Sequence, residues 1–503
     1  MNKSSMIRLD RAYWIHIIIF VVALVTHLSI DYTLADWDDY NYFFGAISIL
    51  KDHTYLIDGI PAQFPMGYPL LIVPFIYLFG TGVQSAVYPC AILGALSAVI
   101  LYEFTRYLLD KRAALFASLF LIFSCHWQMS SIVMSDVPAL FFMLLSIFAT
   151  VKYIRTEKPF FIYLFYLTMG FACLIRYTSA IVFVVLGLYI VLSNKTHLLR
   201  QKEIWLGTPL FFVVLFPQMV YNNIYFGNPF TTGYHGQPLF SLEYFFTSGE
   251  HRPTFQIIPY INCCVAGFGT PIFPFFLYGI WDWIKQRKRE EFSLILPWIV
   301  VPLVIFSFYF WLFYRYIILM LPALLILSGH GFSMMCDASI IKRKRIRRIL
   351  IVSLVVILLI PTAIFRFDRI QEEKSRTQCQ KETFTWIHKN SGSNDIIISY
   401  PEPSYQYYSQ LKVYSPQTPH NELERLISTH NNTYFVICNA WDPDFSRHTK
   451  QWLNETYGLI QLKTFESDPK LSLTSKSLHN LECEVGMPSS LPTDRWDVYL
   501  IVK

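Results

Sequence analysis

Long apolar runs separated by short basic clusters fill the first two thirds of the chain. The last third changes to short runs in which apolar and polar positions alternate. A helix needs roughly 20 apolar residues to cross the hydrocarbon core of a bilayer. The runs at Tyr13–Ile30, Gln84–Leu108, Ala113–Met134, Val137–Ile154, Phe160–Ile175 and Thr178–Leu192 predict the first six spans. Ile204–Ile224, Ile257–Ile284, Phe292–Leu312, Tyr316–Met335 and Ile349–Phe365 bring the total to about eleven. Met66–Gly80 is apolar but short, and it carries Pro69 and Pro74. It predicts an interfacial or re-entrant helix rather than a span.

Orientation follows from the basic clusters, which collect on the cytoplasmic side. Lys3, Arg8 and Arg11 put the N-terminus inside. Arg106, Lys111 and Arg112 also belong inside, and parity then works only if Met66–Gly80 does not cross. The alternation continues through Lys152, Arg155 and Lys158, then Lys195, Arg200 and Lys202, then Lys285 to Arg289, and ends at Lys342 to Arg348. The loop 31–83, the loop 227–256 and the tail 368–503 therefore lie outside. Two domains are expected: a membrane domain over 1–367 and a small extracytoplasmic α/β domain over 368–503. In the tail, Asp395–Tyr400, Tyr434–Asn439 and Asp497–Val502 read as strands, and Lys381–Lys389 and Asn421–His430 as helices. No internal repeat is visible.

Composition agrees with this pattern. Of 503 residues, 54% are hydrophobic and only 15% charged, which excludes a soluble domain with a large core. The net charge of +6 sits largely in the clusters between spans, so it reports topology and not nucleic-acid binding. No small-residue cleavage site follows the first apolar run, so it reads as a retained span. The nine cysteines lack metal-type spacing, and most fall in apolar runs. Cys379, Cys438 and Cys483 lie in the tail, where one disulfide is compatible with the sequence.

The candidate chemistry gathers on the outer side. Asp36-Trp37-Asp38-Asp39-Tyr40-Asn41-Tyr42 follows the first span, with three carboxylates in four positions. If the chain continues as a helix, Asp38, Tyr42 and Ala46 share one face, and Asp39 is turned about 100° away. The bland reading is a solvated acidic patch. Asp136, Arg176 and Arg315 each abut a span on the same side. An ionisable side chain at membrane depth costs about 2.5–3.5 kcal/mol, so such groups are paired or functional. Snorkelling is the bland reading for the arginines, and a helix cap at Ser135-Asp136-Val137-Pro138 is the bland reading for Asp136. Arginine forks suit a phosphate, and a carboxylate suits deprotonation of a hydroxyl. If a lipid phosphate is the leaving group, it needs no general acid, so a single base suffices.

In these residues the chain resembles the GT-C membrane glycosyltransferases. The nearest branch contains the dolichyl-phosphate-mannose–protein mannosyltransferases and the bacterial aminoarabinose transferases. Asp38-Asp39-Tyr40-Asn41-Tyr42-Phe43-Phe44-Gly45-Ala46 resembles the acidic pair with Tyr and Ala in the family's first outer loop. Phe64-Pro65-Met66-Gly67-Tyr68-Pro69 resembles its proline-rich helix, and Phe226-Gly227-Asn228-Pro229 its later outer loop. Ser135-Asp136, Arg176-Tyr177 and Arg315-Tyr316 resemble its junction residues. The resemblance covers about residues 10–335, in order. Aminoarabinose transferases carry a Lys that Phe64-Pro65-Met66 lacks, and the tail has no repeated sugar-binding modules. Both departures argue against those two subgroups, and the second favours a bacterial inner membrane.

The resemblance implies inverting transfer of a sugar from a polyprenyl-phosphate donor to a glycolipid, polysaccharide or protein hydroxyl on the outer face. It implies Asp38 as base, Asp39 as supporting carboxylate, and Asp136 with Tyr42 positioning the acceptor. Arg176, Arg315 and Tyr316 would hold the lipid phosphate. Some relatives use a divalent cation such as Mg, Mn or Zn, which Asp38 and Asp136 could hold. A flippase for lipid-linked sugars is the alternative. It would show inverted repeats and broken midplane helices, which the sequence does not. A surface protein merely anchored by its spans would not need so many.

Overall fold

The computed structural model describes residues 3–30, 32–34, 37–57, 59–231, 233, 257–258, 261, 272–286, 289–308, 314–337, 344–399, 403–438, 443–467 and 495–502. The chain forms two compact units. Unit 1 holds Met1–Ile30 and Tyr42–Arg366, and unit 2 holds Asp31–Asn41 and Phe367–Lys503.

Unit 1 is helical. Its first elements are α1 (Lys3–Leu28), α2 (Trp37–Asp52, which begins in unit 2), a small hairpin of β1 (Leu56–Ile57) and β2 (Ile60–Pro61), and α3 (Gly67–Phe79). Then come α4 (Val83–Leu108), α5 (Lys111–Ile122), α6 (Cys125–Ser130), α7 (Asp136–Thr156), α8 (Pro159–Ile175), α9 (Ile181–Leu192) and α10 (Lys202–Phe226). Beyond these lie α11 (Phe273–Gln286), α12 (Arg289–Ser307), α13 (Leu321–Asp337) and α14 (Lys344–Asn390, which belongs to unit 2 from Phe367 onward). Among the described residues, five helices are long and apolar enough to cross a membrane, and four shorter apolar helices accompany them. This is an integral membrane protein. The 13 residues of α3 rise only about 20 Å against a hydrocarbon core of about 30 Å, in keeping with a helix that does not cross. The first half of the expected span Ile257–Ile284, and Cys263, Cys264 and Cys483, lie largely outside the described residues.

One expected span is broken. Ala113–Met134 is not a single helix but α5 and the short α6. Ser124 explains the break. Its hydroxyl donates to the Leu121 carbonyl (2.8 Å) and accepts from the His126 amide (3.2 Å), closing one helix and capping the next. Two other expected spans open with a 3₁₀ turn, at Tyr177–Ala180 before α9 and at Tyr314–Leu319 before α13. Helix packing in unit 1 uses glycines as contact points. A Cβ on Gly331 would sit 2.0 Å from the Phe275 carbonyl oxygen, and one on Gly279 2.2 Å from that of Leu327. α11 and α13 thus pack backbone to backbone, the mode that small residues allow between membrane helices.

Unit 2 is built on a five-stranded sheet of order β4-β3-β5-β7-β6. Its elements are β3 (Ile396–Ile398), α15 (Pro403–Ser409), β4 (Lys412–Tyr414), α16 (His420–Thr429), β5 (Thr433–Cys438), α17 (Pro443–Thr456), β6 (Leu459–Glu466) and β7 (Arg495–Ile501). β3 pairs in parallel with β4 and β5, and β7 pairs antiparallel with β5 and β6. Ile397 faces a cluster with Phe384, Tyr405 and Trp496, while Ile396 and Ile398 face Leu423, Ile427 and Phe435 on the other side. Both faces are covered, which is why β3 reads as a continuous apolar run. β4 and β6 were not expected from the sequence. The helix expected at Lys381–Lys389 is the last part of α14, one helix of 47 residues.

Candidate active site

Five of the residues singled out in the sequence lie in unit 1, and the fold brings them together. The C-terminal end of α8 delivers Arg176 in an extended conformation. The N-terminus of α7 delivers Asp136, and the 3₁₀ turn before α13 delivers Arg315 and Tyr316. Tyr42 comes from α2 and is buried. Arg176 Nη1 donates to Asp136 Oδ2 (3.3 Å) and to Ser135 Oγ (3.2 Å), and its Nε donates to Thr178 Oγ1 (3.2 Å). Ser135 Oγ in turn shares a 2.9 Å hydrogen bond with the Tyr42 hydroxyl. The Arg176 guanidinium stands 5.6 Å from the centre of the Tyr316 ring, and that of Arg315 stands 5.7 Å from it. Arg315 Nη1 also reaches the Met134 sulfur at 3.5 Å.

Two guanidinium groups therefore share one aromatic ring. The carboxylate of Asp136, only 4% exposed, neutralises part of the charge and orients Arg176. Like charges held this close repel, and an anion offered to both relieves that repulsion. Planar forks suit a phosphate in such a place.

Ser135 was the residue the sequence hid. Before Asp136 and Pro138 it reads as a helix cap. Its side chain caps nothing. It links Tyr42 to Arg176 instead. Thr178 was missed as well, since a threonine opening a span carries no signal of its own.

Asp38 and Asp39 belong to unit 2, in the first turn of α2. Acidic residues there are favoured by the positive end of the helix dipole. Asp38 is half-buried, and Asp39 is fully buried and accepts a hydrogen bond from the Tyr32 hydroxyl. The Tyr408 hydroxyl donates to the Leu34 carbonyl (3.3 Å). Burial pushes the Tyr408 phenol up, and the nearby Asp39 carboxylate adds to that rise. The two neighbouring carboxylates have different surroundings, as their 100° separation on a helix requires.

For a divalent cation the fit at Asp136 is poor. Its Oδ2 is committed to Arg176, and a cation there would face the two guanidinium groups. Among the described residues no three His, Cys, Asp or Glu side chains converge to hold a metal ion.

The loop after α10 is held by its own polar residues. Gly227 takes a left-handed conformation (φ 76°), Asn222 donates to the Pro229 carbonyl (3.3 Å), and Asn228 accepts from the Phe230 amide (2.8 Å). Gln218 Nε2 donates to Asn222 Oδ1, and Gln218 Oε1 accepts from the Met66 amide (both 2.8 Å).

Residues 63–221 match the family described as dolichyl-phosphate-mannose-protein mannosyltransferase. That stretch contains Asp136 and Arg176. Among solved structures, ArnT from Cupriavidus metallidurans in the apo state superposes with a TM-score of 0.62 at 14% identity, over 91% of this chain and 97% of that one. The fold is that of the GT-C membrane glycosyltransferases. ArnT bound to undecaprenyl phosphate gives a TM-score of 0.59 at 14% identity, over 92% of this chain and 97% of that one. The oligosaccharyltransferase of Archaeoglobus fulgidus in its apo form gives 0.58 at 13% identity, over 84% of this chain and 69% of that one. No curated protein sequence gives a significant match. The resemblance to the protein-mannosyltransferase and aminoarabinose-transferase branch of the GT-C fold therefore holds.

Proposed function

We propose that the protein transfers one sugar from a polyprenyl-phosphate donor to a hydroxyl acceptor on the outer face of a bacterial inner membrane. The observation that carries this reading is the pair of guanidinium groups, Arg176 and Arg315, on the Tyr316 ring beside Asp136. A phosphate monoester of a lipid is the ligand such a pair suits at membrane depth. A relative with the same fold has been captured with undecaprenyl phosphate, which supports that choice.

In the proposed reaction the acceptor oxygen attacks the anomeric carbon from the face opposite the phosphate. The carbon–oxygen bond to phosphate breaks, and the polyprenyl phosphate leaves as an anion held by Arg176 and Arg315. The acceptor proton passes to Asp38. Asp39, held by Tyr32, supports the base. Asp136 orients Arg176, and Tyr42 helps position the acceptor. Arranging donor and acceptor in line on a surface supplies much of the rate. The acceptor class, whether glycolipid, polysaccharide or protein, follows the family resemblance.

The test gives purified protein in detergent a panel of undecaprenyl-phosphate sugars and follows release of undecaprenyl phosphate, with and without chelator. Release is expected with at least one sugar, and Asp38→Asn is expected to lower it on the order of 10²-fold or more. Release at the wild-type rate from Asp38→Asn would remove the base assignment. No release from any donor by folded protein would remove the transferase reading.

A further inference from the structure

α10 is long and apolar enough to cross a membrane, and Val213, Phe216, Val220 and Ile224 on it are exposed. Its last turns also carry polar side chains that are buried. Gln218 is 3% exposed and Asn222 0%, and Tyr221 is buried beside them. Spacings of three and four residues put all three on one face of the helix. A buried amide costs stability unless its hydrogen bonds are made. Here they reach segments distant in sequence. Gln218 Oε1 accepts from the Met66 amide (2.8 Å), and Gln218 Nε2 donates to Asn222 Oδ1 (2.8 Å). Asn222 Nδ2 donates to the Pro229 carbonyl (3.3 Å). The Tyr221 hydroxyl donates to the carbonyls of Tyr55 (3.0 Å) and Ala62 (3.1 Å), on either side of the small hairpin.

Met66 immediately precedes α3, and its own side chain does not cap that helix. The first amides of a helix have no partner within it, and Gln218 supplies one from another helix. The start of α3 in turn lies against the end of α8. A Cβ on Gly67 would sit 2.5 Å from the Leu174 carbonyl oxygen and 2.8 Å from the Ile175 amide nitrogen. Met66, Leu174 and Tyr221 also share one apolar cluster. Arg176 follows at once, extended between α8 and the 3₁₀ turn at Tyr177–Ala180. Its guanidinium must reach Ser135, Asp136 and Thr178 together, so it depends on where the Ile175 backbone lies. Backbone packed on backbone has no flexible side chain to absorb a shift, and close-packed interiors transmit strain. A displacement at the start of α3 is therefore passed to Arg176.

We propose that Gln218 is a positioning residue for the lipid-phosphate site. Through the Met66 amide it holds the start of α3 against Leu174 and Ile175, and so sets the aim of Arg176. The proposal rests on the lipid-phosphate reading given above. Gln218 itself touches neither lipid nor sugar in this scheme, and its effect exists only through Arg176.

The test is a double-mutant cycle on the full-length protein in detergent, read by titration with undecaprenyl phosphate. Gln218→Met keeps the volume and removes the amide. It is expected to weaken binding about tenfold in the wild-type background, and less than about twofold when Arg176 is already Lys. Hydrogen exchange without ligand is a second readout. Gln218→Met is expected to speed exchange in residues 62–70 and in residues 172–178. Gly67→Ala pushes on the same contact from the other side and leaves Gln218 in place. It is expected to weaken binding as well, and it carries the test if Gln218→Met does not fold. Binding by folded Gln218→Met within about twofold of wild type would overturn the proposal. Equal losses in both backgrounds would overturn it too, since the effect would then bypass Arg176. So would faster exchange confined to residues 62–70. If wild-type protein binds no undecaprenyl phosphate, the lipid-phosphate reading itself fails, and the proposal fails with it.

Discussion

At the scale of single residues, the site depends on one hydroxyl that the sequence does not advertise. Ser135 Oγ accepts from Arg176 and shares a hydrogen bond with Tyr42. Removing it leaves the Tyr42 hydroxyl and one Arg176 donor without that partner. Ser135→Ala is expected to cost about 1–3 kcal/mol in this buried setting. Undecaprenyl phosphate binding should weaken about five- to a hundredfold, as read by titration against wild type. Arg176→Lys tests a different property. It keeps the charge but loses the planar fork that contacts Asp136, Ser135 and Thr178 at once. It is expected to weaken lipid-phosphate binding at least tenfold, and wild-type affinity would show that a point charge is enough.

At the scale of elements, the close approach of helices sets what can be substituted. Gly331 on α13 and Gly279 on α11 each meet backbone oxygen of the other helix at a distance no Cβ tolerates. Gly67 at the start of α3 does the same against Leu174 of α8, where a Cβ would lie 2.5 Å from the carbonyl oxygen. Backbone cannot yield as a flexible side chain can. Gly331→Ala is therefore expected to force the two helices apart, costing about 1–3 kcal/mol as overpacking does, and to lower the melting temperature in detergent. Gly187, on α9, meets no atom within 4 Å of a built Cβ, and Gly187→Ala serves as the tolerated control.

At the scale of the whole molecule, the short segment after α1 clusters with the tail and not with the helices on either side of it. The hydrogen bond from Tyr408 to Leu34 belongs to that grouping. Trp496 is 1% exposed in the apolar cluster with Phe384 and Tyr405. Trp496→Ala is expected to cost unit 2 about 3–5 kcal/mol. Hydrogen exchange should then speed up in residues 32–41 together with the sheet, while α7 and α8 stay protected. Faster exchange confined to the sheet would separate the acidic segment from unit 2.

The sequence alone determined the membrane class, most helix positions, three strands of the sheet and the set of charged residues worth watching. It could do so because apolar length, basic clusters and strand-length apolar runs are local signals. Asp136, Arg176 and Arg315 stood out because charge beside a span is costly wherever the chain goes. Only the tertiary structure decided the rest. The break at Ser124, the edge strands β4 and β6, and the role of Ser135 each depend on a partner distant in sequence or on competition between two local hydrogen bonds. β4 and β6 are the outer strands of the sheet, and all their residues stay exposed or half-buried, so their sequence carries little apolar periodicity.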